Sequence, residues 1–301
     1  MPAQRESNPS TYGSYARWHL LPLTAVRLTG GFWADRQVLN RQVSLNHGHR
    51  MLEEVGNFHN LRLAAGLAEG HFQGREFADS DVYKWLEAAA YELHRHPDEG
   101  LLGKVDQAID LIAAAQQADG YLNSYYQVAK PDERWTDLDF GHELYCAGHL
   151  FEAAVAHVQA TNDPKLLAVA TRLADYIGSV FGPDKRPGAP GHPEIELALV
   201  KLYRVTGNQA YLDLAGFFID QRGQARMRGL GWLGPDYHQD RVPVREASEI
   251  EGHAVRALYL TTGVTEVYRE TGEPALLAAL QRQWQDMVGG KLYLTGGVGA
   301  R

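Results

Sequence analysis

The sequence predicts an all-α fold, a closed or partly closed α/α toroid of helical hairpins. Three observations carry that expectation. After Trp33 the apolar residues recur at helical spacing along most of the chain. The helices come in pairs joined by short turns, while the linkers between pairs are long. A Gly-His start also recurs ahead of three pairs. These are GHELYCAGHLFEAAVAHVQATNDPKLLAVATRLADYI (141–177), GHPEIELALVKLYRVTGNQAYLDLAGFFID (191–220) and GHAVRALYLTTGVTEVYRETGEPALLAALQRQWQDMV (252–288).

Residues 1–16 read as a disordered or clipped lead. Residues 17–33 are β-like, with short apolar runs broken by Pro22 and the Gly30-Gly31 pair. A helix is expected at 37–55, followed by a looser hairpin at 79–115. Asp81 or Ser80 would cap that hairpin, and His96-Pro97-Asp98 would turn it. In the three Gly-His pairs the turns are Thr161-Asn162-Asp163-Pro164, Thr206-Gly207-Asn208 and Thr271-Gly272-Glu273-Pro274. Asn or Gly after a first helix is a C-cap, and Pro opens a second helix well. The first helix of each pair is apolar on all sides, as Leu144, Ala147, Leu150, Phe151, Ala154 and Val158 illustrate, and is therefore a buried inner helix. The second helices form an outer ring. Linker 221–251, rich in Gly, aromatics and charge, is expected to carry function.

In this arrangement His142, His192 and His253 stand where a linker enters an inner helix and line one cavity. A helix N-terminus disfavours the imidazolium, so the rings are expected to be neutral. Neutral rings that both donate and accept suit a polyhydroxylated ligand, a sugar. Tyr121, Tyr125, Tyr126, Trp135, Trp232 and Tyr237 would serve as aromatic platforms. Against this stands a plainer role for each histidine as a cap or packing residue. Repetition favours the cavity, since Ser or Asp would cap better. Cys146 reads as a small core hydrophobe and not as a metal ligand. Ala257 stands at its place in the third repeat, and Cys146 itself replaces the second histidine of an H-E-x-x-H pattern. Asp79, Asp81, Asp137, Asp139, Glu143, Glu249 and Glu251 leave a hydrolytic carboxylate pair open, while Asp81 also reads as a cap.

Composition narrows the partners. The 301 residues can bury a large core, with 45% apolar and 22% charged residues marking a globular chain. A formal net charge of −8 with no basic run argues against nucleic acid. No apolar stretch reaches membrane-spanning or signal-peptide length. The single cysteine excludes an internal disulfide and fits a reducing compartment, so a cytoplasmic address is expected. A homodimer is compatible with the sequence.

Several stretches together resemble a known family: VRLTGGFW (26–33), NFHNLRLAAG (57–66), FADSDVYKWLEAAAY (77–91), DGYLNSYY (119–126), the three Gly-His helices, and KLYLTGGVGAR (291–301). The chain is similar from about residue 24 onward to glycoside hydrolase family 127, the β-L-arabinofuranosidases. The resemblance implies an (α/α)6 barrel followed by β-sandwich domains. It also implies retaining hydrolysis of arabinosides by a cysteine nucleophile held on zinc, with a glutamate as acid and base. In the family the catalytic glutamate, a Glu-x-Cys pair and the remaining cysteines follow the segment that LTGGVGAR matches. Residues 17–301 would then be the N-terminal portion of the barrel, with neither catalytic residues nor zinc ligands of their own. His142, His192 and His253 match sugar-contacting positions. Asp81 is a further candidate, as is His47, which stands near a place where relatives carry a glutamine. Two rival readings are a non-catalytic sugar-binding or interaction fragment, and a metal-free α/α-barrel epimerase or hydrolase using the histidines as acid and base.

Overall fold

Three of the hairpins turn in the same way, and a threonine explains why. In the computed structural model, which describes residues 13–19, 21 and 25–299, the first helices of the Gly-His pairs end at Thr161, Thr206 and Thr271. Each hydroxyl donates to the carbonyl four residues earlier, on His157 (2.8 Å), Leu202 (2.8 Å) and Val267 (3.0 Å). Each also accepts the N–H two residues on, from Asp163 (3.1 Å), Asn208 (3.2 Å) and Glu273 (3.4 Å). The residue between, Asn162, Gly207 or Gly272, is left-handed, with φ of 61°, 73° and 67°. Glycine and asparagine adopt that conformation at the lowest cost, so the C-caps fall where the sequence places them.

The fold is all-α. Among the described residues the only β-pairings are isolated bridges, Phe181 with Arg186 and Leu292 with Val298. The β-like stretch is therefore corrected in part. Residues 26–29 have no regular structure and pair with no strand, and Val26 and Leu28 are exposed. Gly31, at φ 77°, then turns the chain into a helix that begins at Phe32 rather than at 37. Of the expected lead, residues 1–12 lie outside the described residues. Residues 13–16 are held in place, with the Tyr15 N–H donating to the Arg269 carbonyl at 2.9 Å. No described helix is long and apolar enough to cross a membrane.

Two compact units make up the chain. One comprises residues 20–136 and 149–177. It contains α1 (Phe32–Leu39), a π turn (Asn40–Ser44), α2 (Leu45–Glu54), α3 (Asn57–Ala64), α4 (Ala78–Arg95), α5 (Glu99–Ala115) and α6 (Ser124–Val128). Most of α7 (Glu143–Thr161) and α8 (Lys165–Val180) also falls here. Its core is built by α3, α4 and α5, where Leu61, Val82, Leu86, Val105, Ile109 and Ile112 are fully buried. Asp98 caps α5 by accepting the Leu101 N–H at 2.9 Å. Neither Asp81 nor Ser80 caps α4, because that helix starts earlier, at Ala78. Asp81 instead sits in the first turn, where a carboxylate meets the positive end of the helix.

The other unit comprises residues 1–19, 137–148 and 178–301. Besides the first six residues of α7 it holds α9 (Ile195–Thr206), α10 (Gln209–Gln221), a 3-10 segment (Gly231–His238), α11 (Ala254–Thr271) and α12 (Pro274–Asp286). Helix α9 packs against both α10 and α11 and buries Ile195, Ala198, Leu199, Val200 and Leu202, as an inner helix should. Two glycines let its neighbours approach its first turn. A Cβ on Gly148 would lie 2.5 Å from the Glu194 side chain, and one on Gly263 would lie 2.9 Å from that of Glu196. Apolar side chains are nonetheless exposed on α11 and α12, among them Val255, Leu258 and Trp284.

Candidate functional site

The three Gly-His dipeptides enter their helices differently. His142 is left-handed, φ 59°, and directly precedes α7. His253 is the N-cap residue of α11. His192 lies three residues ahead of α9, because Pro193 disfavours helical geometry in the residue before it and Glu194 serves as the cap. The histidines therefore do not hold equivalent backbone positions. Their rings still gather within one unit. His142 and His192 have ring centroids 6.0 Å apart. Tyr145 lies 4.4 Å from His192 and 5.6 Å from His142, Tyr259 lies 5.4 Å from His192, and Tyr237 meets His253 edge-on at 5.5 Å. All of these rings are half-buried.

Hydrogen bonds fix the tautomers. The His192 Nδ1 lies 2.8 Å from the Pro193 carbonyl, and the His142 Nδ1 bonds the Phe140 carbonyl. A carbonyl only accepts, so in both rings Nδ1 carries the proton and Nε2 is the acceptor. Burial holds the His192 imidazole neutral down to about 3; Arg256 and the other two histidines add to that effect, while the Pro193 carbonyl opposes it. His253 is lowered as well, first by burial and then by Arg256. Neutral rings were expected from helix dipoles, but desolvation is the larger cause.

The loop carrying His192 is tightly held. Gly191 donates its N–H to the Leu138 carbonyl at 2.7 Å, and a Cβ there would lie 1.9 Å from the Asp139 carbonyl oxygen. Arg222, fully buried, donates to the carbonyls of Pro190 and His238 and lies 3.7 Å from the Glu196 carboxylate. Arg256, also buried, donates to the Gly191 carbonyl at 2.8 Å. Its guanidinium also lies 2.8 Å from His238 Nδ1 and 4.7 Å from the centre of the Tyr237 ring. The buried Asp240 carboxylate accepts four main-chain N–H groups, from Gly223 (2.6 Å), Gln224 (3.1 Å), Arg226 (2.7 Å) and Met227 (2.9 Å). Asp137 and Asp139 both pair with Arg228, which binds the 137–142 segment to the long linker.

Tyr145, Arg256 and Tyr259 are thus site residues that the sequence reading missed. The spacing could have found two of them, since Tyr145 and Arg256 each stand three residues, one helical turn, after a Gly-His histidine. Arg222, His238 and Asp240 act mainly through main-chain atoms, which leave no mark on a sequence.

The remaining candidates fall elsewhere. His47 and Asp81 belong to the other unit and are engaged locally. The exposed His47 accepts from Arg50 at 2.9 Å, and Asp81 lies 3.5 Å from Lys84 and accepts from Asn57 at 3.4 Å. Of the two candidate carboxylates in that unit, Asp79 is the buried one: it accepts the Ser124 N–H at 2.7 Å and the Ser124 hydroxyl, and burial raises its pKa. Tyr121, Tyr126 and Trp135 are core residues and not platforms. Tyr121 is fully buried, with Trp135 and Tyr176 in edge contact at 5.5 and 5.7 Å and the Arg134 guanidinium 4.0 Å over its ring, so no face is left for a sugar. The Trp232 side chain lies outside the described residues.

A zinc–thiolate centre needs a thiolate and two or three further ligands. The one cysteine, Cys146, is 1% exposed inside α7. Among the described residues the three metal-ligating side chains that come together are Asp106, His157 and Asp163, with ligand atoms within 4.8 Å of one another and no sulfur among them. The described residues therefore do not fit such a centre.

Comparisons with known proteins agree with the helical fold. The model of the β-L-arabinofuranosidase GH127 catalytic domain matches residues 25–301. A non-reducing end β-L-arabinofuranosidase of Bifidobacterium longum subsp. longum is 44% identical over 262 residues, spanning 80% of this chain and 40% of that protein. The crystal structure of a GH127 β-L-arabinofuranosidase from Geobacillus stearothermophilus T6 superposes with a TM-score of 0.88 at 43% identity, covering 91% of this chain and 46% of that one. A second GH127 β-arabinofuranosidase structure superposes at 0.86 with 36% identity, covering 92% and 45%. The chain thus spans less than half the length of these relatives.

Proposed function

The chain belongs to the GH127 β-L-arabinofuranosidase catalytic-domain family, and from that premise we propose that it forms the sugar-binding part of a β-L-arabinofuranosidase-type glycoside hydrolase acting on arabinosides. The observation that supports this best is the His142–His192 pair. Two rings of the same tautomer, 6.0 Å apart, each present Nε2 as an acceptor. Two sugar hydroxyls can donate to that pair, and the half-buried faces of Tyr145 and Tyr259 provide apolar surface for the ring carbons.

Retaining chemistry on a zinc-held cysteine, which the family resemblance implies, is assigned to residues other than these 301. No step of it falls on Cys146. The rest of an (α/α)6 barrel would likewise cover the apolar side chains exposed on α11 and α12. The lone thiol fits a cytoplasmic address, and association as a homodimer stays part of the proposal. An epimerase using these histidines as acid and base is disfavoured by His192. A general acid works best with a pKa near the operating pH, and an imidazole neutral down to about 3 is far from it.

Two measurements on the 301-residue chain test the reading. It should bind L-arabinose by titration calorimetry, and it should not hydrolyse an aryl β-L-arabinofuranoside. Hydrolysis by this chain with a chelator present would overturn the zinc–thiolate assignment. Absence of arabinose binding would overturn the sugar site.

A further inference from the structure

Arg256 is a charged group in an unusual setting. It is 5% exposed, and among the described residues no carboxylate pairs with it. Burying a guanidinium without a counter-charge costs several kcal/mol (roughly) that an apolar side chain would not. Its contacts are all neutral: the Gly191 carbonyl at 2.8 Å, His238 Nδ1 at 2.8 Å and the Tyr237 ring face. Those three groups belong to two segments that flank the histidines. Gly191 immediately precedes His192, and Tyr237 lies edge-on to His253. Arg256 itself stands one turn along α11 from His253.

We infer that Arg256 is a positioning residue: by holding the Gly191 carbonyl and the His238 ring with one guanidinium, it sets the orientation in which His192 meets a sugar. The inference rests on the sugar-site reading above. Both contacts are made by one nitrogen, Nη1, whose N–H bonds lie fixed in the guanidinium plane, which explains an arginine here; a lysine ammonium carries the same charge on a flexible stem with freely turning N–H bonds. Arg222 secures the same two segments independently through the Pro190 and His238 carbonyls. That second clamp lets an Arg256 variant keep its fold while the His192 loop loosens. One peptide bond joins the Gly191 carbonyl to His192, so freedom gained at the carbonyl reaches the backbone that carries the imidazole and its bond to the Pro193 carbonyl.

The test compares the 301-residue chain with R256K, which keeps the charge and removes the planar guanidinium, and with H192A. Selectively 15N-histidine-labelled protein gives the His192 tautomer and titration by NMR, and calorimetry gives affinity for L-arabinose. R256K should fold, by circular dichroism. Its His192 should titrate at higher pH than the native ring, and its arabinose affinity should fall about tenfold, the effect of a small misplacement of one contact. An R256K protein whose His192 tautomer and titration match the native chain would overturn the inference and leave Arg256 as packing. Should R256K not fold, H238N, which alters the other end of the link, is held to the same two outcomes. Failure of the sugar reading is distinguishable: H192A would then bind arabinose as the native chain does, or neither would bind, whatever R256K does to the His192 spectrum.

Discussion

His142 and His192 lie with ring centroids 6.0 Å apart, and each gives its Nδ1 proton to a main-chain carbonyl within two residues of itself. The backbone, not a neighbouring side chain, therefore sets both tautomers. Any partner approaching Nε2 meets an acceptor. A hydroxyl fits that surface and an anion does not. The arrangement couples backbone geometry to ligand choice: Phe140 and Pro193 enter the chemistry only through their carbonyl oxygens.

From this pair follows a mutational expectation. His142→Ala and His192→Ala should each weaken arabinose binding about three- to tenfold, the worth of about one net hydrogen bond. Melting temperature should change little for His142→Ala, whose ring is half-buried. Calorimetry and thermal unfolding on the same samples check it. A stability loss with unchanged affinity would make the histidines packing residues.

The approach of α7 and α11 to α9 gives a second expectation. Gly148→Ala would bring its new methyl to 2.5 Å from the Glu194 Cγ and 2.9 Å from the Ile195 N, and Gly263→Ala would bring its own to 2.9 Å from the Glu196 Cβ. Both new methyls also meet backbone, at 2.9 Å (Ile195 N) for Gly148 against 3.2 Å (Leu197 N) for Gly263, so Gly148→Ala should be the more damaging, by about 1–3 kcal/mol. Urea unfolding midpoints of the two variants decide the order.

Much of the fold is legible in the sequence because it rests on local chemistry. The Thr-Asn and Thr-Gly turns after 161, 206 and 271 combine a hydroxyl that bonds both ways with a left-handed residue, and both features are written in adjacent letters. The Gly-His recurrence marks three histidines that fall in one unit, although they enter their helices differently. What is not legible depends on partners distant in sequence. Starting α4 at Ala78 instead of Asp81 turns Asp79 inward to Ser124, some 45 residues away. Tyr121 and Trp135 read as exposed platforms because linkers are usually exposed, yet Tyr176 in α8 closes over them. Asp240 binds only backbone, so nothing in its neighbours' identities announces it.

Asp240 itself should be costly to remove. Asp240→Ala leaves four N–H groups at 223–227 without their acceptor, two of them on the buried residues Gly223 and Met227, at about 1–3 kcal/mol for each group that water does not reach. A loss of about 3 kcal/mol or more in denaturant unfolding is expected. Asp240→Asn keeps one acceptor oxygen and should fall between. A melting temperature for Asp240→Ala equal to the native one would show that the loop does not depend on this carboxylate.

His192 also makes stability depend on pH, and the sign can be worked out. In the unfolded chain an imidazole titrates near 6.5, whereas in the folded protein His192 takes a proton only at about 3. Between those values the unfolded state binds a proton that the folded state excludes. Folding stability is therefore full above about pH 6.5 and falls by up to about 1.4 kcal/mol for each pH unit below it. His253 and His238, also lowered by burial, act in the same direction. The buried carboxyls of Asp79 and Glu196 are raised, so they favour the folded state in acid and weaken the fall at its lower end. Unfolding free energies at pH 7.5, 6.5, 5.5 and 4.5 (roughly unit steps across the window) should show a decline in the native chain that is visibly shallower in His192→Gln. An equal slope in both proteins would mean that the ring is hydrated in solution, and that burial does not keep it neutral.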